Sequence, residues 1–331
     1  MSPLQLDELP RTQRAPDSSP SVARRVRRAL CLLPLLLIGV WTAAHWRVVH
    51  DGAVRLTSAD PRWLLTGAVF TCLCWAAASC IRQGAIPERL PPGLLLASQF
   101  AAGAANHVLP AGLGAHAVTL RFLQGRGIPL TRATASLALY SLVKPIAGML
   151  LILTLLAAFP GTLRLGELFP GERALLLAIG FLITGLAGAA LLVTVIRPLR
   201  RLITGFVRTA LTDARLLHTR PSRILALWGG AAAFPLLQAS VVASVGASLG
   251  LPLPWAHVAL AYLAASAAAG AIPTPGGIGS VDAALVLTLS AFGAPVALAT
   301  ATVIGYRVLT VWLPLLPGAL VLTALVRGKV L

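Results

Sequence analysis

"AIPTPGGIGSVDAAL" (residues 271–285) breaks a long apolar region with two prolines, three glycines and an aspartate. Lipid cannot pair the N–H and C=O groups that such a break releases, so a broken helix at membrane depth has to face protein or water. The surrounding composition makes membrane depth the relevant setting. The chain has 331 residues, 57% of them hydrophobic and 11% charged, against roughly a quarter charged in soluble domains. Several apolar runs approach or exceed the ~20 residues that cross a bilayer. None shows the alternation of an outer-membrane barrel. The fold class read from this pattern is all-α, a polytopic membrane helical bundle.

The same stretch has a counterpart upstream. "PAGLGA" (110–115) aligns with "PGGIGS" (275–280), and "GIPLTRATASLALY" (127–140) aligns with "GAPVALATATVIGY" (293–306). Gly127 meets Gly293, Pro129 meets Pro295 and Tyr140 meets Tyr306. The apolar pieces on either side of each Gly/Pro break are too short for a comfortable crossing. Each set, 93–127 and 255–292, therefore reads as a re-entrant hairpin. Full spans fall at about 29–46, 63–81, 133–159, 174–196, 224–249 and 295–325. Three crossings separate the hairpins, so the two copies are expected in opposite orientation, as an inverted repeat with halves 93–159 and 255–325. Paired broken segments of this kind point to a transporter's midplane site. The alternative is a tight interhelical turn with packing glycines.

Charge placement sets the orientation. With these spans, 20 of the 27 Lys and Arg fall on one face, 5 on the other and 2 within spans. That asymmetry puts the basic face, and both termini, in the cytoplasm. The formal net charge of +17 is thereby explained without nucleic acid, which is not expected as a partner. "RRVRR" (24–28) precedes the first span without a convincing cleavage site, so that span reads as uncleaved. Residues 1–22 read as a disordered cytoplasmic tail and 23–331 as one transmembrane domain. Over about 197–222, apolar residues from Leu199 to Ala214 keep helical spacing beside Arg201, Arg208 and Arg215. This fits an amphipathic helix on the inner leaflet, or equally one packed on the ends of neighbouring spans.

Three charges lie inside apolar spans: Lys144, Asp282 and Arg307. Each costs at least ~2.5–3.5 kcal/mol at the bilayer centre unless it is paired or wetted. Asp282 and Arg307 can pair. Lys144 and Arg307 sit shortly after the aligned tyrosines, and two cations beside helix N-termini would suit a phosphate head group. A purely structural Asp282–Arg307 bridge is the competing reading. The glycines 276, 277 and 279 would let backbone N–H groups approach a ligand. Cys31, Cys72, Cys74 and Cys80 show no disulfide or metal spacing and read as small packers. His107 and His116 flank the first break without metal-like company and read as packing or hydrogen-bonding residues. No protease, hydrolase, nucleotide or kinase motif appears, so no cofactor is expected.

"IPTPGGIGSVDAALVLTLSAFGAP" followed by "GYRVLTVWLP" resembles the lysylphosphatidylglycerol synthase transmembrane region, a flippase-like integral membrane family. The resemblance covers about residues 29–325 and is most specific at the second hairpin. It implies movement of a phospholipid or polyprenyl-linked lipid between leaflets of the cell membrane. Asp282 stands where the family typically has glutamate, and Arg307 matches the arginine of the last span. Asn106, Pro110, Gly112 and Gly114 match in the first hairpin. The family's glutamate there is Ala115 and its next arginine is Val118. The arginine and aspartate of the following span correspond to Ser141 and Lys144. Substrate-contacting candidates are thus Asp282, Arg307, Lys144, Gly276, Gly277, Gly279, Asn106, Gly112, Gly114, Tyr140 and Tyr306. An anionic phospholipid or polyprenyl phosphate is the expected lipid, with a membrane or transferase protein as a further partner. In two-domain members an aminoacyl-transferase domain follows. None is found before Leu331, so this chain is not expected to aminoacylate lipid. The competing functions are a non-transporting subunit that scaffolds a transferase and an intramembrane lipid-modifying enzyme with Asp282 as base.

Overall fold

The computed structural model describes residue 54 and residues 57–107, 113–159, 221–269 and 275–327. The expected first span, the span at 174–196, the tail and the amphipathic stretch lie outside these residues. The described residues are helical, without a strand among them. Four helices are long and apolar enough to cross a membrane: α1 (Pro61–Gly84), α4 (Leu130–Ala158), α5 (Pro221–Ser248) and α8 (Val296–Leu325). They coincide with the four spans expected in these regions.

Between them lie four shorter helices: α2 (Pro92–Asn106, 15 residues), α3 (Leu113–Gly125, 13), α6 (Trp255–Ala269, 15) and α7 (Ser280–Ala291, 12). At 1.5 Å per residue each is roughly 18–23 Å long, short of a hydrocarbon core of about 30 Å. Helices α2 and α3 pack on each other as a pair, and so do α6 and α7. The pairs are tied into the long helices, with α2 against the C-terminal part of α8 and α6 against α5.

Local chemistry sets the helix ends. Asp60 accepts the Arg62 N–H at 2.9 Å beside Pro61 in the first turn of α1. At the other end, Arg223 donates to the carbonyls of Gln83, Ile86 (2.8 Å) and Pro87 (3.0 Å). One guanidinium from the start of α5 thereby satisfies carbonyls left over where α1 stops. Two π-turns interrupt the long helices, at Leu225–Gly229 in α5 and Val308–Trp312 in α8. Such turns open a helical ladder locally and occur often at functional sites.

The helices meet through small residues, as membrane helices do when backbones must approach closely. A Cβ on Gly84 would come within 2.5 Å of the Leu227 nitrogen, and one on Gly318 within 2.9 Å of the Phe100 carbonyl. The largest core joins α5, α6, α7 and α8 around Val241, Val258, Leu285 and Leu289. A second joins α1, α4 and α5 through Ile81, Val143 and Leu227. A third sits under α2 and α3 around Phe122 and Leu123. Outward positions are apolar and open: Leu287 is 70% exposed and Leu320 73%. In a water-facing protein such positions would be costly; here they form the surface offered to lipid.

Candidate functional site

The turn before α7 is built on glycine. Gly276, Gly277 and Gly279 all have positive φ, at 60°, 70° and 88°. Gly276 is required twice over. Its φ is left-handed, and a Cβ there would stand 2.0 Å from Nδ1 of His107, at the end of α2. The end of α2 therefore touches the turn before α7, with the His107 ring against a backbone that has no side chain.

Asp282, in the first turn of α7, is fully committed. Its Oδ2 accepts the Gly279 N–H at 2.9 Å, and its Oδ1 accepts Nε of Arg307 at 2.5 Å. Nη2 of Arg307 donates to the Gly277 carbonyl at 2.9 Å. One ion pair thus ties the turn, the start of α7 and α8 together, with both side chains largely buried. Of the three glycines expected to offer N–H groups to a ligand, Gly279 instead spends its N–H on Asp282. The carboxylate that favours the helix start occupies the place an anion would take.

A cavity of about 750 Å³ lies between the helix pairs. Among the expected site residues, Asn106, Tyr140, Lys144, Gly276, Tyr306 and Arg307 line it. Asp282, Gly277, Gly279 and Gly114 do not. Gly114 serves packing, because a Cβ there would sit 1.9 Å from the Ala105 carbonyl across the α2–α3 contact. Gly112 lies outside the described residues. The π-turn of α8 contributes Thr310 and Val311 to the wall, directly after Arg307.

The sequence reading missed a third cation. The span expected at 63–81 leaves Arg82 just beyond its cytoplasmic end, yet α1 continues through it to Gly84 and buries it to 6% exposure. It lines the cavity, and its guanidinium carbon lies 4.3 Å from the centre of the Tyr140 ring. Nε and Nη1 of Arg82 have no hydrogen-bond partner. Lys144 Nζ lies 5.3 Å from the same ring and 5.1 Å from that of Phe234. The only sequence signal for Arg82 was a cation directly abutting an apolar run, which flanking residues share. Gln99, Gln238, His107 and His116 also reach the wall.

The electrostatic inventory is one-sided. The wall carries Arg82, Lys144 and Arg307 and no carboxylate among the described residues. The described carboxylates are spoken for elsewhere: Asp60 caps α1, Glu88 bridges Arg132 at 2.6 Å, and Asp282 holds Arg307. No cluster of His, Cys, Asp and Glu suited to a metal occurs among the described residues. The chamber can hold an anion by charge-assisted hydrogen bonds from a wall that is cationic, aromatic and amide-bearing.

No curated protein matches the chain. The family described as Lysylphosphatidylglycerol synthase TM region matches residues 29–318, nearly the whole length, and the chain is a member of that membrane-protein family.

Proposed function

We propose that this protein moves a lipid with an anionic head group between the leaflets of the cell membrane. The observation that carries the reading is the 750 Å³ chamber with three cations and no carboxylate among the described residues of its wall. The head group would enter the chamber while the acyl chains stay in lipid. Arg307, fixed by Asp282 and the Gly277 carbonyl, would give a stationary positive wall. Lys144 and Arg82 would follow the head group from the opposite side.

In this reading α2–α3 and α6–α7 are re-entrant hairpins in inverted repeat. Their lengths, below the hydrocarbon thickness, favour that arrangement, as do the aligned "PAGLGA" and "PGGIGS" turns. The basic face and both termini lie in the cytoplasm, residues 1–22 form a tail, and 23–331 form one membrane domain. Transport is passive, ion-coupled or driven by a partner, since no nucleotide motif is present in the sequence.

The test is reconstitution. Purified protein in vesicles carrying head-group-labelled phosphatidylglycerol should expose the inner-leaflet label to a membrane-impermeant quencher. Lys144→Ala should slow that exposure several-fold. Traces identical to protein-free vesicles for phosphatidylglycerol, phosphatidic acid and a polyprenyl phosphate would remove the reading.

One observation favours a second reading, a scaffold for a lipid-modifying transferase. The first helix pair has apolar Ala115 and Val118 where the family carries charges. A stoichiometric partner that co-purifies with a chain unable to move lipid would select it. The third possibility, an enzyme with Asp282 as base, gains no support, because both carboxylate oxygens are engaged.

A further inference from the structure

Among the described residues, two of the three chamber cations have no carboxylate partner. Arg307 is matched by Asp282, whereas Arg82 and Lys144 both lie against the ring of Tyr140 with no carboxylate among the described residues of the wall. Arg82 is 6% exposed, with two guanidinium nitrogens unpartnered. A buried cation with unmet donors is costly, and the cost is recovered when an anion arrives. The described wall holds two cations more than its described carboxylates balance.

Lipid head groups differ in how well they answer that excess. A phosphodiester such as phosphatidylglycerol carries one negative charge. A phosphate monoester carries about −1.5 to −2 at neutral pH, with a second pKa near 6, and presents three acceptor oxygens. An aminoacylated head group brings ammonium groups, which three wall cations repel and no carboxylate among the described wall residues receives.

We infer that Arg82 and Lys144, gathered on Tyr140, form a site for a phosphate monoester dianion, and that the chamber discriminates against head groups bearing an ammonium. The inference rests on the chamber being the head-group site and specifies its ligand. Arg82 supplies a planar guanidinium fork and Lys144 a point charge. Tyr140 holds the two cations near each other by their attraction to its ring.

The experiment measures binding, not transport. The full chain in detergent micelles is titrated with phosphatidic acid, phosphatidylglycerol and lysyl-phosphatidylglycerol at pH 7.5 and pH 5, with and without excess inorganic phosphate. Phosphatidic acid should bind at least about tenfold more tightly than phosphatidylglycerol at pH 7.5, the value of roughly one added charge-assisted contact. The lysyl lipid should bind weakest. The preference for phosphatidic acid should shrink at pH 5, where the monoester holds one negative charge. Arg82→Met should abolish the preference and Arg82→Lys should restore part of it. If Arg82→Met does not fold, Lys144→Met carries the same expectation. Displacement by inorganic phosphate assigns the site to free phosphate as well as lipid; retention of phosphatidic acid assigns it to lipid alone.

Equal affinity for monoester and diester overturns the inference, as does an unchanged preference in folded Arg82→Met. Selective binding without transbilayer movement would leave this site standing and remove the translocation reading. Movement of all three lipids at equal rates, with equal affinities, would do the reverse.

Discussion

In the second helix pair the turn is wired to a long helix: Asp282 holds the Gly279 N–H with one oxygen and Arg307 with the other, and Arg307 holds the Gly277 carbonyl. The described residues of the first helix pair hold no carboxylate to do the same: Ala115 and Val118 are apolar where the resemblance implies charges, and His116 Nε2 lies 3.5 Å from Ser141 Oγ on the next helix. Elsewhere on the chamber wall, Lys144 and Arg82 lie against an aromatic ring. One side spends its charge on its own architecture; on the other, no described carboxylate answers the two cations. The difference separates a charge that shapes the site from charges that can answer a ligand.

The largest expected effect tests the wired side. Asp282→Ala leaves a buried arginine without its carboxylate and the Gly279 N–H without an acceptor. Breaking a buried pair in this way costs about 3–5 kcal/mol, a large part of a typical total of about 5–15 kcal/mol. Folded yield by fluorescence-detected size exclusion should collapse. The double variant Asp282→Leu/Arg307→Met removes both charges and should recover most of the yield, since paired removal is often near neutral. Wild-type yield and melting temperature in Asp282→Ala would erase the contrast between the two sides.

A smaller effect separates the glycines of the two helix pairs. Gly114→Ala forces a methyl against the Ala105 backbone carbonyl, and overpacking of this kind costs about 1–3 kcal/mol. Backbone cannot swing away, so no side-chain deletion should rescue it. Gly276→Ala meets His107 instead, and adds about 1–2 kcal/mol for left-handed φ. His107→Ala should remove the clash and leave only the backbone cost. Melting temperatures of the two single variants and the Gly276→Ala/His107→Ala pair decide the matter. Equal destabilisation of the single and double variants at Gly276 would mean that the helix-pair tips do not press on each other.

The long helices were legible because a bilayer demands length and apolarity, and residues 63–81, 133–159, 224–249 and 295–325 supply both. The Asp282–Arg307 pair was legible for a related reason: two opposite charges at depth, in neighbouring elements, are tolerable mainly together. The burial of Arg82 was not legible. It depends on Tyr140, a residue on a different helix, and nothing local distinguishes a buried terminal arginine from a snorkelling one. The fate of the Gly279 N–H was hidden similarly. The sequence offers both a helix start and an acid three residues on, but only geometry tells which anion takes the position. His107 reads from sequence as a packing or hydrogen-bonding residue, and its contact, the bare backbone of Gly276, comes from the other helix pair.

The finest test adds a carboxylate to the first helix pair. Ala115 lines the chamber, so Ala115→Glu places a carboxylate on a wall whose described residues include none. Its stem adds volume facing a cavity, where there is room, so folded yield should change little. Its charge would neutralise part of the excess held by Arg82 and Lys144. Phosphatidic acid affinity should then fall about tenfold, the scale of one opposing charge-assisted contact, while phosphatidylglycerol affinity falls less, because a monoanion uses less of the excess. Ala115→Gln is the control: it has the same shape without the charge, and its affinities should stay near wild type. A glutamate that leaves the phosphatidic acid preference intact would mean that the two cations are balanced by something other than the ligand. The open side would then be as self-contained as the wired one.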